Sequence, residues 1–297
     1  MAWRPGAGAC VGAWLSDWAR QRSMIQPPTT VQGRFIRRWA TAAAAMAYLR
    51  AEADIPEKEK EAIRPWLHDL AAGVSMAPDV RPDRRNNHFY WSAFSVGAVG
   101  RALKDDALID HAREAYRKSR LDIQRDGHLT KEARRGRRAW MYHDFSALPL
   151  VMLAELGARA GEDWYAYDDG ALHRLVGFVL EGYRDPQIFA RLSGVQQEMT
   201  HLERRLDWYP LYARRFPERV LSYQELGLDR HDYWDRLIAG TCTSLRNDGL
   251  RSEGAKRDFS LRKIDRMSAF EACQSPTEMT KNLSVWLHEI RSSMPQG

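Results

Sequence analysis

Two stretches of this chain bring together side chains able to do chemistry. The first is Arg85-Asn86-Asn87-His88-Phe89-Tyr90-Trp91, which sets two amides, an imidazole and three aromatic rings at the start of an apolar run. The second is Arg134-Arg135-Gly136-Arg137-Arg138-Ala139-Trp140-Met141-Tyr142-His143. Arg135 and Tyr142 are seven apart, close to two helical turns, so on a helix they share a face. Arg138 lies one turn from Tyr142 on that side, and His143 points about 100° away, as a structural residue would. Amide, imidazole, guanidinium and phenol are the groups needed to remove a proton beside a carboxylate and then protonate a leaving oxygen. That chemistry needs no cofactor. No carboxylate pair stands out for glycoside hydrolysis, and no phosphate-binding glycine loop or metal-ligand cluster is present.

The elements that must position these groups read as helices. Residues 11–20 and 33–52 have helical periodicity and are separated by Pro27-Pro28. Pro56 opens the next helix, with Glu57, Glu59 and Glu61 near its positive end. Residues 78–85 form a loop. A buried helix starts near Asn87, its polar tip followed by a small, apolar body. Residues 105–121 are amphipathic, and Asp126-Gly127 marks a turn. Residues 130–157 read as one long helix, although Gly136 costs about 1 kcal/mol relative to alanine and Pro149 kinks it. Residues 168–183 and 195–206 continue the helical pattern. No stretch alternates with period two, so the fold class is all-α. Periodicity alone does not separate a barrel from a solenoid or bundle.

Composition narrows the class further. With 44% hydrophobic and 28% charged residues, the chain is that of a soluble globular protein. The net charge of +6 suits a polyanionic partner. No lysine-rich tail or zinc-finger spacing points to nucleic acid, and no apolar run reaches membrane-spanning length. Cys10, Cys242 and Cys273 make no Cys-x-x-Cys pair, and no disulfide is legible from them. Residues 1–14 lack the apolar core of a signal peptide. The eleven tryptophans either fill helical cores or form platforms for sugar faces.

The two motifs resemble those of the alginate lyases of polysaccharide lyase family 5, the mannuronate lyases. That family's pattern is Asn-Asn-His-x-Tyr-Trp, followed by an arginine seven residues before the tyrosine of a Tyr-His pair. The matching residues here are Asn87, His88, Arg135 and Tyr142. The resemblance runs from about Cys10 to about Leu245, through Gly170-Ala171-Leu172, Met199-Thr200 and Trp208. It implies an incomplete (α/α) barrel, a toroid of antiparallel helix pairs with a deep cleft, over residues 1–245. Residues 246–297 then form a charged extension, disordered or specific to this lineage. It also implies a monomer located in the periplasm; the family's lid segment lies before the point where this chain begins, so either the lid is absent or the chain as given is truncated.

The implied activity is β-elimination on mannuronate-rich alginate. A base takes the C5 proton beside the carboxylate and the bond from C4 to oxygen breaks. The dianionic transition state requires charge neutralisation first. Asn87 donates to the carboxylate, or caps the helix. His88 is base, second donor, or a hydrogen-bonded histidine at a helix start. Tyr142 transfers the proton and Arg135 neutralises the substrate's charge or tunes the phenol, or the pair is a core tyrosine beside a surface arginine. In mannuronate the C5 proton and O4 share one face of the ring, so Tyr142 can serve both. Arg138, Trp91 and Trp208 are the candidates for holding substrate, with Trp140 open as cleft or core. Phe145 stands where the family often has a second tyrosine and lacks its hydroxyl. Alternative functions are a lyase on another polyuronate such as polyglucuronate, or a non-catalytic binder of acidic polysaccharide. With no metal among the expected parts, turnover should survive a chelator. Loss of activity reversed by a divalent ion, without unfolding in between, would contradict this assignment.

Overall fold

The computed structural model describes residues 7–77, 80–81, 83, 85–200, 206–222 and 225–226. Among them the structure is all-helical, with one isolated bridge between Ile123 and Leu129 and no strand. The helices are α1 (Ala7–Arg20), α2 (Val31–Ala51), α3 (Glu57–Ser75), α4 (Asn87–Leu103) and α5 (Asp106–Arg120). After a turn come α6 (Thr130–Ala133), α7 (Ala139–Ala158), α8 (Tyr167–Arg184), α9 (Gln187–Ser193) and α10 (Tyr209–Arg215). None of these helices is long and apolar enough to cross a membrane. The extension expected over 246–297 lies outside the described residues. Cys10 is disulfide-bonded, and the other two cysteines also lie outside the described residues.

Local chemistry explains where the helices start. The Thr30 hydroxyl accepts from Gly33 N at 2.9 Å and caps α2. Pro56 precedes α3, whose first turn carries Glu57 and Glu59. The Asp105 carboxylate accepts from Leu108 N at 3.1 Å and caps α5. Only Lys104 and Asp105 separate α4 from α5, a connection that makes the two antiparallel neighbours.

Helix α4 is the hub. It packs against α2, α3, α5 and α7. Fourteen of its 17 residues are buried, which is why its sequence is apolar on every side. Trp91 on this helix has no exposed surface. Truncating a ring so placed costs about 3–5 kcal/mol. Helix α7 is enclosed in the same way and carries contacts onward to α8. These helix pairs make up the incomplete (α/α) barrel.

Two helix expectations need correction. Residues 130–157 are not one helix. Gly136 takes φ +57° and breaks the run into α6, a short 3₁₀ turn over Gly136–Arg138, and α7. Residues 195–200 are not helical either. The helix there is α9, and Gly194 ends it at φ +76°. Gln197 pins the irregular strip that follows by donating to Gly136 O at 3.1 Å and accepting from Trp140 N at 3.0 Å.

His143 has the structural part expected of it. It is fully buried, its Nε2 accepts from Leu129 N at 2.8 Å, and its Nδ1 donates to Ala139 O at 2.7 Å. Both ring nitrogens are thus used by the neutral form, and burial pushes its pKa down to about 3. The sign follows from linkage: below its ordinary value of 6.5 the unfolded chain binds a proton that the folded chain refuses. This group's contribution is therefore complete above pH 6.5 and lost as pH falls towards 3, at about 1.4 kcal/mol per pH unit. Urea unfolding of wild type and His143→Gln between pH 7 and 4 should show a shallower acid slope in the variant. Parallel slopes would contradict the assignment.

Candidate active site

The polar tip of α4 divides its work between two asparagines. The Asn86 side chain accepts from His88 N at 3.0 Å and caps the helix. That frees Asn87 from the capping role. Its backbone N–H and its Nδ2 both donate to Glu132 Oε1, at 2.8 and 3.0 Å. Arg135 Nε donates to the other oxygen, Oε2, at 3.2 Å. Glu132 has no exposed surface, so one buried carboxylate joins two of the four motif residues. Glu132 does not stand out in the sequence as a site residue. Its only signal was a carboxylate three positions before Arg135, a common surface pattern on helices.

Arg135 and Tyr142 do meet, but not as neighbours on a continuous helix. The left-handed Gly136 turns the chain between them, and the Arg135 guanidinium carbon comes to 4.4 Å above the Tyr142 ring. The contact is face-on, the geometry of a cation over an aromatic quadrupole. Tyr142 is half-buried, and its ring meets Phe145 edge-on at 6.5 Å. Phe145 in turn meets Trp39 at 6.0 Å, and Trp39 meets Phe35 at 6.3 Å. Phe35 stacks on His88 at 3.7 Å and 13°. The residues therefore lie on one closed circuit of contacts. It passes from Asn87 through Glu132 to Arg135 and Tyr142, and back through three aromatic rings to His88. Phe145 is a link in that aromatic wall.

The first turn of α4 is tied to Asp122 as well. Arg85 and Asp122 form an ion pair at 2.7 Å, and Tyr90 donates to the same carboxylate at 3.1 Å. Burial and the Asp122 charge hold the Tyr90 phenol well above its usual range, so it stays a neutral donor.

Other candidates are placed differently from expectation. Asn87 has no exposed surface, and its Oδ1 has no hydrogen-bond partner. Its amide reaches a ligand only when a covering neighbour yields. Trp91 and Trp208 were candidates for sugar platforms, yet both are fully buried. Trp91 backs the wall against Trp39 and Phe145, and Trp208 donates to Asp144 at 2.9 Å. Trp140 is also core, donating to Val179 O at 3.0 Å. Arg138 leans towards Glu198, at 3.6 Å. No group of three or more His, Cys, Asp or Glu side chains suited to a metal occurs among the described residues.

The chain is similar to several known proteins. A family model described as alginate lyase matches residues 3–189. A polysaccharide lyase of Stenotrophomonas maltophilia is 39% identical over 217 residues, covering 72% of this chain and 65% of that protein. An alginate lyase of Pseudomonas fluorescens is 34% identical, covering 67% and 56%. The chain thus spans less than two thirds of the length of these relatives. The crystal structure of alginate lyase A1-III from Sphingomonas species A1 superposes with a TM-score of 0.74 at 25% identity, covering 83% of this chain and 71% of that one. A histidine-to-alanine variant of A1-III complexed with tetrasaccharide superposes equally well.

Glu132 gives the site its first test. Glu132→Ala strands two Asn87 donors in the core and should lower the unfolding free energy by about 2–4 kcal/mol. Glu132→Gln keeps an acceptor and should lose less. Denaturant titration of the two variants measures this, and a neutral Glu132→Ala would show that the carboxylate does not hold the site together.

Proposed function

Because this chain belongs to the alginate lyase family, we propose that it cleaves mannuronate-rich alginate by β-elimination, leaving 4,5-unsaturated uronate ends. The observation that carries the reading is the Arg135 guanidinium lying 4.4 Å above the ring of Tyr142 while Glu132 joins Arg135 to Asn87. A histidine and a tyrosine are the residues altered in the tetrasaccharide complexes of A1-III. They lie 54 positions apart, as His88 and Tyr142 do, which supports these two as their counterparts.

The roles follow from which charge each group can meet. The C5 proton is poorly acidic because the neighbouring carboxylate is already negative. Arg135 and His88, both with exposed surface, meet that carboxylate first. Asn87 adds its remaining amide N–H as the covering side chains give way. Neutralisation of this kind acts mainly on the transition state, where the second negative charge appears. Tyr142 then takes the C5 proton as phenolate and returns it to the departing O4 on the same ring face, ending as it began. Proton transfer by one placed group is worth about 10²–10⁴-fold. The compartment we assign is the periplasm, as the family resemblance implies.

The unsaturated product absorbs in the ultraviolet and the substrate does not. Absorbance on polymannuronate, polyguluronate, polyglucuronate and hyaluronan should rise fastest with polymannuronate. Tyr142→Phe keeps the ring under Arg135 and removes the hydroxyl. Its kcat should fall by about 10²–10⁴-fold with little change in KM. Near-normal turnover in this variant would make the phenol a packing group and transfer the proton chemistry to His88.

A further inference from the structure

We propose that the cavity beneath Arg34, Arg37 and Arg38 is a second carboxylate-binding subsite, which holds a uronate residue of the polymer beyond the pair that reacts. The proposal rests on the function given above. The cavity has a volume of about 460 Å³, and these three arginines of α2 share it with one carboxylate, Asp69. Asp69 is itself faced by Arg22, at 3.8 Å. The charge of the cavity is therefore positive.

Arg37 is the informative member. It is 7% exposed, its Nη2 donates to Ile25 O at 3.3 Å, and its Nε has no hydrogen-bond partner. Burial lowers its pKa, the mark of a cation brought out of water with too little in return. A buried charge is normally paired, and a planar guanidinium matches a carboxylate in geometry as well as charge. The surroundings make room for it. A Cβ on Gly73 would overlap the Arg37 guanidinium, so that position must be glycine for Arg37 to lie where it does. Pro27, Pro28 and Val74 supply an apolar lining beside the cations. An apolar surface next to guanidinium groups suits a sugar ring that bears a carboxylate.

One aromatic ring, that of Phe35, links the arginines of the cavity to His88. Arg34 and Arg38 flank Phe35 in sequence, the Arg38 guanidinium carbon is 5.5 Å from the Phe35 ring, and that ring stacks on His88. A chain bound at His88 thus meets the arginine cavity on the other side of one aromatic ring.

The test compares oligomer lengths. Mannuronate dimer, tetramer and hexamer are titrated calorimetrically into the full chain carrying Tyr142→Phe, with and without Arg37→Met. The longer oligomers should bind at least about tenfold more weakly to the double variant, while the dimer changes little. Arg34→Met, at a less buried position, should reproduce the trend, and supplies the test should Arg37→Met fail to fold. Equal affinity at every length in the folded variants overturns the subsite. Inorganic phosphate that binds in an Arg37-dependent way, where oligomers do not, also overturns it and identifies a small-anion site. Wild-type turnover of polymannuronate is measured in parallel. Turnover with no length effect of Arg37 removes this proposal alone, whereas absence of both turnover and oligomer binding removes the lyase assignment with it.

Discussion

The site depends on one buried carboxylate. A charge taken out of water must be met by donors or it destabilises the fold by several kcal/mol. Glu132 meets that requirement with two donors from Asn87 and one from Arg135. The consequence is geometric. The first turn of α4 and the turn over residues 130–138 cannot shift independently without stranding a donor in the core. His88 follows Asn87 in the chain, and Tyr142 lies under Arg135, so both inherit the constraint.

The rest of the fold serves that junction. Helix α4 is enclosed by four others and presents only its polar tip to the site. Groups held on such an element keep their geometry better than groups on loops. The aromatic rings from Phe35 to Phe145 form the opposite wall, and Trp91 fills the space behind them. The closed circuit of contacts therefore has a polar half, which sets hydrogen-bond geometry, and an apolar half, which sets spacing and keeps water out.

Charge has two scales in this molecule. The net charge of +6 acts at a distance and draws polyanions of any sequence. Discrimination requires cations placed singly. Arg135 is held by Glu132 and by a ring face, so it has one position from which to meet a negative charge. Arg37 is placed by the space left at Gly73. Guanidinium groups suit both places, because they stay protonated when partly buried and stack on aromatic faces, where a lysine would do neither as well.

Helix content, the start of α4 at Asn87 and the motif pair were legible in the sequence because they are local. Apolar periodicity, capping residues and prolines act over a few positions and carry their own physical reason. The motif strings of the family were legible for the same cause, since each lies within a few positions. What tertiary structure alone decided was how distant positions meet. Whether Asn86 or Asn87 capped α4 turned on a carboxylate 45 positions away. Seven-residue spacing suggested that Arg135 and Tyr142 share a helix face, but the left-handed turn at Gly136 brings them together by another route. Trp91 and Trp208 look alike in the sequence as platforms or core. Only packing shows that both are enclosed, because burial is set by what the remote helices cover and not by the residue itself.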